Sequence, residues 1–261
     1  MQSDTRRERA SSGRLGLVAN LLSDALTTVA APGRAVRILD CGGGSGAYAV
    51  PLAQAGADVT VVDISADALA TLCRRADEAA VSASVHAVAG DVEALADLIA
   101  DGHLAASPEN PENAAGSSGG RFDAVLAHGV LDAVDNVEAT FAGMVSAVRP
   151  GGLMSVLVAN PIASVLARAL GGEPALALDE LRRLDEPGRV GPESVGRLAT
   201  LAGLQVEARH GIGVFSDLVT GAAADSPGRR EALVSLDAEA AARSPFADIA
   251  ARVHLLLRRP G

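Results

Sequence analysis

Short apolar runs alternate along the chain with stretches in which apolar residues recur every three or four positions. The first pattern indicates buried strands, and the second indicates amphipathic helices. Strands separated by helices pair in parallel through right-handed crossovers, so the order predicts an α/β fold built on a doubly wound sheet. The predicted strands are 36–40, 58–63, 84–89, 122–127 and 153–159, and the helices between them end near 54 or span 66–79, 92–100 and 137–148.

Helical stretches predominate after residue 160. Further predicted helices are 161–170, 174–184, 192–202 and 229–242, and further strands are 204–209 and 251–259. An amphipathic helix also begins at Leu15 and ends before Pro32-Gly33. Residues 1–13 lack such periodicity and are expected to be a disordered tail, and 101–120, rich in Ser, Pro, Asn and Gly, is expected to be a surface loop.

Composition and charge narrow the classes of partner. The 261 residues include 22 basic and 32 acidic ones, a formal charge of −10, which disfavours nucleic acids and anionic membranes. Cys41 and Cys73 are too few for a disulfide framework or a closed zinc site, and no other spacing predicts a metal. The first residues contain no apolar secretion segment, and the longest apolar run, 153–170, is interrupted by polar residues. We therefore expect a cytoplasmic protein.

A glycine-rich turn follows the first predicted strand, in the segment Ile38-Leu39-Asp40-Cys41-Gly42-Gly43-Gly44-Ser45-Gly46. Glycines at the end of a strand let the backbone turn tightly and approach a ligand closely. Asp63 ends the next strand, 21 positions after Gly42. An acid at about that spacing accepts hydrogen bonds from the hydroxyl groups of a ribose. The segment therefore predicts a nucleoside-binding site.

Two classes of nucleotide ligand fit this turn. Gly42-x-Gly44-x-x-Ala47 also satisfies the dinucleotide fingerprint, in which a helix N-terminus binds a pyrophosphate. Asp40, however, is badly placed beside a pyrophosphate and well placed for the ammonium group of a methionine moiety. Asp91 follows the third strand, where a carboxylate accepts from the exocyclic amine of adenine. These acids favour S-adenosylmethionine over a nicotinamide or flavin nucleotide; a glycine turn that binds nothing is the remaining interpretation.

The motifs ILDCGGGSG, VVDIS, AGDVEAL, FDAVLAHGVLDAV and VRPGGLMSVLVANP follow one another over about 36–160. They resemble the motifs of class I S-adenosylmethionine-dependent methyltransferases. The resemblance implies a Rossmann-like seven-stranded sheet, mostly parallel with the last strand antiparallel. It implies cofactor contacts from Asp40, Cys41, Gly42, Gly43, Gly44 and Gly46 at the methionine end, Asp63 at the ribose, and Ile64, Asp91 and Val92 at the adenine.

A narrower resemblance extends along almost the whole chain. The segment 127–132 (AHGVLD), Asn160, the segment 213–217 (GVFSD) and the segment 252–254 (RVH) resemble the CmoM-like tRNA carboxymethoxyuridine methyltransferases. Members of that family esterify the carboxymethoxy group of a modified wobble uridine. The segment 171–187 departs from the family, because it is acidic and rich in Ala and Leu where the tRNA enzymes are basic.

Four further residues are candidates for the reaction itself. His128 follows the fourth strand at the edge where open α/β sheets bind ligands, so it is a candidate contact to cofactor or acceptor and the candidate general base. The alternative is a histidine that bonds the backbone at the strand end. Asp132, Asn160 and Phe215 are candidate acceptor contacts. Their alternatives are helix capping, loop bonding and core packing, respectively.

The sequence thus favours a methyltransferase that uses S-adenosyl-L-methionine, releases S-adenosyl-L-homocysteine and acts on a small-molecule acceptor. A tRNA-modifying enzyme and a non-catalytic S-adenosylmethionine-binding protein are the alternatives. We expect one domain over 14–261, with a cofactor-binding core at 36–160, no membrane partner, and a monomer or homodimer. The segments expected on the acceptor side are 14–31, 161–200 and 211–247.

Overall fold

The computed structural model describes residues 2–31, 33–104, 122–186, 188–219 and 227–261, with the side chains of these residues from 15 onward except that of 227. The helices are α1 (Gln2–Thr27), α2 (Ala49–Gln54), α3 (Ala66–Glu78), α4 (Leu95–Ala100), α5 (Val137–Ala147), α6 (Pro161–Leu170), α7 (Pro174–Arg182), α8 (Pro192–Leu201) and α9 (Pro227–Ala240). The strands are β1 (Arg37–Cys41), β2 (Asp58–Asp63), β3 (Val85–Ala89), β4 (Phe122–His128), β5 (Val148–Ala159), β6 (Gln205–Ile212) and β7 (Arg252–Arg258).

The strands form a seven-stranded sheet in the order β3-β2-β1-β4-β5-β7-β6. β1 pairs in parallel with β2 and β4, and β2 pairs in parallel with β3. β7 runs antiparallel to β5: Arg259 N–H donates to Gly152 O at 3.0 Å, and Asn160 N–H donates to Ala251 O at 3.0 Å, so partner numbers fall as β5 advances. The predicted fold class is confirmed.

The strand order reverses between β1 and β4, the place where open α/β sheets bind ligands at the carboxyl ends of their strands. Cys41 lies level with Val62 and Ala127 in the sheet. The next residues, Asp63 and His128, therefore lie with the glycine turn at one edge. The strand register thus brings together the predicted site residues at the carboxyl ends of β1, β2 and β4.

Aliphatic side chains of the sheet form a core around β1. Ile38, Val59, Val61 and Leu126 are fully buried and pack with apolar residues of α2 and α3. Strands that are buried on both faces have near-continuous apolar sequences, as these do. Val and Leu side chains fill this core because the chain has only 2% aromatic residues.

The described chain forms two compact units. The larger unit contains Leu22–Val156, Arg197–Glu207 and Leu256–Gly261. The smaller unit contains the described residues of Met1–Leu21, together with Leu157–Gly196 and Ala208–Leu255. The expectation of one domain over 14–261 stays a prediction.

Two predicted boundaries were wrong. α1 begins at Gln2, so residues 2–13 continue the helix and are not the expected disordered tail. Arg, Glu and Ala have good helix propensity, which lets a helix extend through a polar segment. β5 begins at Val148 and not at 153, because Gly151 N–H and Gly152 O pair with the backbone of Arg259 and hold the Pro-Gly-Gly segment extended.

Most of the predicted surface loop, 105–120, lies outside the described residues. Within the described residues, every helix is too short or too polar to span a bilayer.

Candidate functional site

Backbone conformation at the turn after β1 requires glycine. Gly42 and Gly44 have φ of +67° and +54°, a region that L side chains rarely occupy. A Cβ at Gly43 would lie 2.4 Å from Oδ2 of Asp40 and 2.9 Å from Cγ1 of Val61. The absence of side chains at these positions brings bare backbone next to the Asp40 carboxylate.

Asp40 is a buried carboxylate whose second oxygen has no hydrogen-bond partner among the described residues. The side chain is 1% exposed, and Oδ2 is the unpartnered atom. Burial, followed by the nearby charge of Asp63, raises the pKa of Asp40 to about 7. A buried charge without a partner is costly, so this oxygen is suited to a cationic ligand group.

Asp63 is held rigidly at the end of β2. Its Oδ2 accepts a hydrogen bond from Gly44 N–H at 2.9 Å, and its Oδ1 accepts from Ser65 N–H at 2.8 Å. Each oxygen retains a lone pair for a ligand hydroxyl. Ile64, the next residue, is 78% exposed. A carboxylate with free lone pairs and an exposed apolar side chain therefore stand side by side; their roles at a ribose and an adenine stay predictions.

The residues after β3 complete the same edge of the sheet. Ala89 lies level with Asp63, which places Gly90 and Asp91 beside the end of β2. Asp91 is exposed, and its Oδ1 accepts from Glu93 N–H at 2.9 Å. Val92 is buried behind it. An exposed acid with one oxygen oriented by the backbone is suited to accept from an adenine amine.

His128 is held by two neighbours within the larger unit. Its Nε2 shares a hydrogen bond with Ser155 Oγ at 2.8 Å, and its ring meets Tyr48 edge-on with centroids 4.5 Å apart. Nδ1 is also buried. Burial lowers the pKa of His128 to about 3, so the imidazole is neutral at physiological pH and is a weak base. This environment argues against the general-base hypothesis.

Cys41 lies under the turn as a packed core residue. It is buried, and burial, followed by the charge of Asp40, raises the pKa of its thiol. Reactive cysteines are exposed and have lowered pKa values. Cys41 therefore contributes backbone and packing to the site, not a nucleophile.

The three candidate acceptor contacts differ in how the fold uses them. Asp132 is exposed on the segment after β4. Asn160 is 3% exposed; its Oδ1 accepts from Ile162 N–H, and its Nδ2 donates to the carbonyl groups of Asp248 and Ala250. Asn160 thus caps α6 and fixes the 248–250 backbone. The acceptor roles of these residues stay predictions.

Phe215 is partly buried within the smaller unit. Its ring packs against Phe246, with centroids 5.6 Å apart, and its N–H donates to Oδ1 of Asp237 at 2.6 Å. The adjacent cavity is lined almost entirely by apolar residues of α6 and of the segments 213–218 and 249–251, with Asp217 as its charged lining residue. The packing alternative for Phe215 is therefore supported, and its acceptor role stays a prediction.

The sequence interpretation missed three residues that hold the site. Arg75 donates to Ser45 O at 2.9 Å and so fastens the glycine turn to α3. Ser155 orients His128, and Glu93 joins two loops. Glu93 stands two positions after Asp91, which is the one local signal that pointed to it. Arg75 and Ser155 lie 30 and 27 positions from their partners, where no local pattern reveals them.

The donor and acceptor groups at this edge fit S-adenosylmethionine. Asp40 and the bare backbone at Gly43 suit its ammonium group, Asp63 suits its ribose, and Asp91 suits its adenine. A pyrophosphate does not fit, because its negative charge would face the Asp40 oxygen for which the described residues supply no hydrogen-bond donor. The dinucleotide interpretation is therefore disfavoured on geometry as well as on sequence.

Comparison with known proteins agrees with this fit. Residues 8–208 match the model of a family described as a methyltransferase domain. The tRNA 5-carboxymethoxyuridine methyltransferase of Escherichia coli strain K12 is 25% identical over 236 residues, 86% of this chain and 80% of that protein. A ubiquinone biosynthesis O-methyltransferase of Chelativorans sp. is 29% identical over 184 residues, 70% of this chain and 64% of that protein.

Among solved structures, magnesium protoporphyrin IX methyltransferase from Synechocystis PCC 6803 has a TM-score of 0.58 at 15% identity, covering 97% of this chain and 86% of that one. This likeness shows the fold. The family match extends over most of the chain, which therefore belongs to the methyltransferase family and is an S-adenosylmethionine-dependent enzyme.

Proposed function

We propose that this enzyme transfers the methyl group of S-adenosylmethionine to a small-molecule acceptor, with Asp40, Asp63 and Asp91 holding the cofactor. The observation that carries the cofactor assignment is the buried Oδ2 of Asp40, which no group in the described part of the chain bonds and which lies beside the bare backbone of Gly43. A cationic amino group at that position compensates the buried charge. Asp63 and Asp91 then fix the nucleoside from the ends of the next two strands.

When bound, S-adenosylmethionine would supply an electrophilic methyl group on a sulfonium, from which the neutral thioether of S-adenosylhomocysteine is a good leaving group. The chain's contribution is to orient the acceptor atom and to exclude water. Positioning of this kind lowers a reaction barrier by roughly 7–11 kcal/mol. His128, neutral and tied to Ser155, acts in this proposal by contact and shape. An acceptor that is already nucleophilic, such as a carboxylate, suits this site because it needs no strong base.

The arginines of the smaller unit support a small acceptor. Several of them pair with carboxylates of the same unit, as in Arg168–Glu173, Arg182–Asp179, Arg189–Glu180, Arg209–Glu193 and Arg243–Glu239. A protein that binds RNA phosphates needs Lys or Arg side chains that its own carboxylates do not neutralise. The apolar cavity beside Val214 and Leu218 further favours an acceptor with an apolar part.

A tRNA acceptor is the second candidate, and the 25% identity to the Escherichia coli tRNA enzyme over 86% of the chain favours it. The two candidates differ in their electrostatics. Binding of RNA releases counterions, so the affinity falls steeply as salt rises. Binding of a small, partly apolar molecule changes little with salt.

One experiment tests both parts of the proposal. Purified protein is heated with S-adenosylhomocysteine or with NAD, and a ligand at 100 times its dissociation constant is expected to add about 2.7 kcal/mol of stability. We expect a rise in Tm with S-adenosylhomocysteine only. Release of S-adenosylhomocysteine is then measured with small carboxylates and phenols and with bulk tRNA, at low and high salt. Stabilisation by NAD alone contradicts the cofactor assignment, and turnover confined to tRNA contradicts the acceptor class.

A further inference from the structure

Glu93 joins two loops of the larger unit through three hydrogen bonds. Its Oε1 accepts from Asp135 N–H at 3.0 Å, and its Oε2 accepts from Asn136 N–H at 3.0 Å. Its own N–H donates to Oδ1 of Asp91 at 2.9 Å. One residue therefore connects the acid after β3 to the segment that precedes α5.

That segment, 129–136, is also anchored at its other end. It begins at Gly129, directly after His128, with φ of +76°. Val130 is buried against the glycine turn: a Cβ added at Gly42 would lie 3.0 Å from its Cγ2. The segment thus runs from the glycine turn to Glu93, and Asp132 lies within it.

The bonds at Glu93 need a carboxylate. Asp135 and Asn136 stand at the start of α5, where backbone N–H groups have no partner within the helix. The Asn136 side chain caps the helix by accepting from Ala139 N–H, and Glu93 accepts from the two N–H groups before it. Two acceptor oxygens match two donors, so an amide side chain, with one oxygen and one NH₂ group, satisfies only one of them.

We propose that Glu93 is a positioning residue that couples occupation of the adenine site at Asp91 to order in the segment 129–136. The coupling rests on the proposed function, since it requires the cofactor's base at Asp91. A base held by Asp91 fixes the Asp91–Glu93 bond and with it the direction of the Glu93 carboxylate. The carboxylate in turn fixes the backbone that carries Asp132 and the residues next to His128.

The test compares Glu93→Gln with the wild type. Loss of one charge-assisted bond is expected to raise the Kd for S-adenosylhomocysteine roughly tenfold, measured by calorimetry. Hydrogen–deuterium exchange is measured on the same proteins at saturating ligand. In the wild type, S-adenosylhomocysteine is expected to slow exchange across 129–136, and in Glu93→Gln this protection is expected to be largely lost. Glu138→Gln, the same charge change on an exposed acid in the first turn of α5, is expected to behave as wild type.

Three results overturn the proposal. The first is a Glu93→Gln protein with a lower Tm but with wild-type affinity and wild-type protection, which is the signature of a purely structural bond. The second is wild-type protein that binds S-adenosylhomocysteine without protection of 129–136; this arm decides the matter even if the variant does not fold. The third is wild-type protein that does not bind S-adenosylhomocysteine, which overturns the proposed function as well and is thereby distinguished from the other two.

Discussion

Two aspartates of the same sheet are equally buried and have opposite environments. Asp40 in β1 and Asp123 in β4 are each 1% exposed. Asp123 accepts two hydrogen bonds from Arg34, at 2.8 and 2.7 Å, one from Arg37 N–H at 2.8 Å and one from Arg149 Nε at 2.5 Å. Oδ2 of Asp40 has no such partner in the described part of the chain.

The pKa values of the two carboxyl groups move in opposite directions for this reason. Burial alone would raise the pKa of Asp123, but the hydrogen bonds from Arg34, the Arg37 backbone and Arg149 outweigh it and lower that pKa. Burial, followed by the charge of Asp63, raises the pKa of Asp40 to about 7, and no donor among the described residues bonds its Oδ2 to offset this. Asp123, near the amino end of its strand, is bound by groups of the chain itself. Asp40, near the carboxyl end, pairs with the cofactor's amino group in the function we propose.

Substitution of Asp123, the aspartate bonded by the chain itself, is expected to have the largest effect on stability. Asp123→Ala leaves Arg34, Arg149 and the Arg37 N–H without their hydrogen-bond acceptor at once, and we expect a loss of about 5 kcal/mol in the free energy of unfolding. Urea or thermal unfolding measures it. Asp123→Asn retains part of the hydrogen bonding and is expected to lose less. A change below about 0.5 kcal/mol in Asp123→Ala would contradict the structural role.

Substitution of Asp40 is expected to stabilise the ligand-free protein at neutral pH. Between about pH 4 and 7 the native state holds a proton on Asp40 that the unfolded chain has lost, so the free energy of unfolding falls as pH rises through this window. The penalty reaches at most about 4 kcal/mol above pH 7. Asp40→Asn removes it, so its Tm without ligand is expected to exceed that of the wild type at pH 8 and not at pH 4. A lower Tm at pH 8 would contradict the uncompensated charge.

The sequence predicted the part of this comparison that depends on local pattern. Asp40 stands between an apolar strand and a glycine turn, and Asp63 and Asp91 follow the next two strands, so the edge of the sheet that holds them could be inferred. The role of Asp123 could not, because Arg34 lies 89 positions away and Arg149 lies 26 positions away. Their meeting depends on strand pairing that only the fold provides.

The same limit applies to His128. Its position at the end of β4 was predicted, but its partner Ser155 comes from β5 and its ring neighbour Tyr48 precedes α2. The low pKa follows from that packing and not from any feature of the motif. The start of β5 was misplaced for a similar reason, because pairing with Arg259 extends a segment that by itself resembles a turn.

The smallest expected effect concerns His128. If His128 acts only by contact, Gln replaces most of that contact, so turnover of the best acceptor is expected to fall less than tenfold in His128→Gln. Loss of a general base lowers the reaction rate by a factor of about 10²–10⁴. Turnover of wild type and His128→Gln is compared from pH 6 to 9. A wild-type ionisation near pH 6.5 that disappears in the variant would restore the general-base hypothesis.

The central claim is that the Asp40 carboxylate binds a cationic ligand group. The affinity of Asp40→Asn for S-adenosylhomocysteine tests this claim most directly. Calorimetry at pH 8 compares it with the wild type and with Asp67→Asn, the same charge change at an exposed position on α3. The account predicts a Kd raised on the order of 100-fold in Asp40→Asn and unchanged in Asp67→Asn. Wild-type affinity in Asp40→Asn contradicts it.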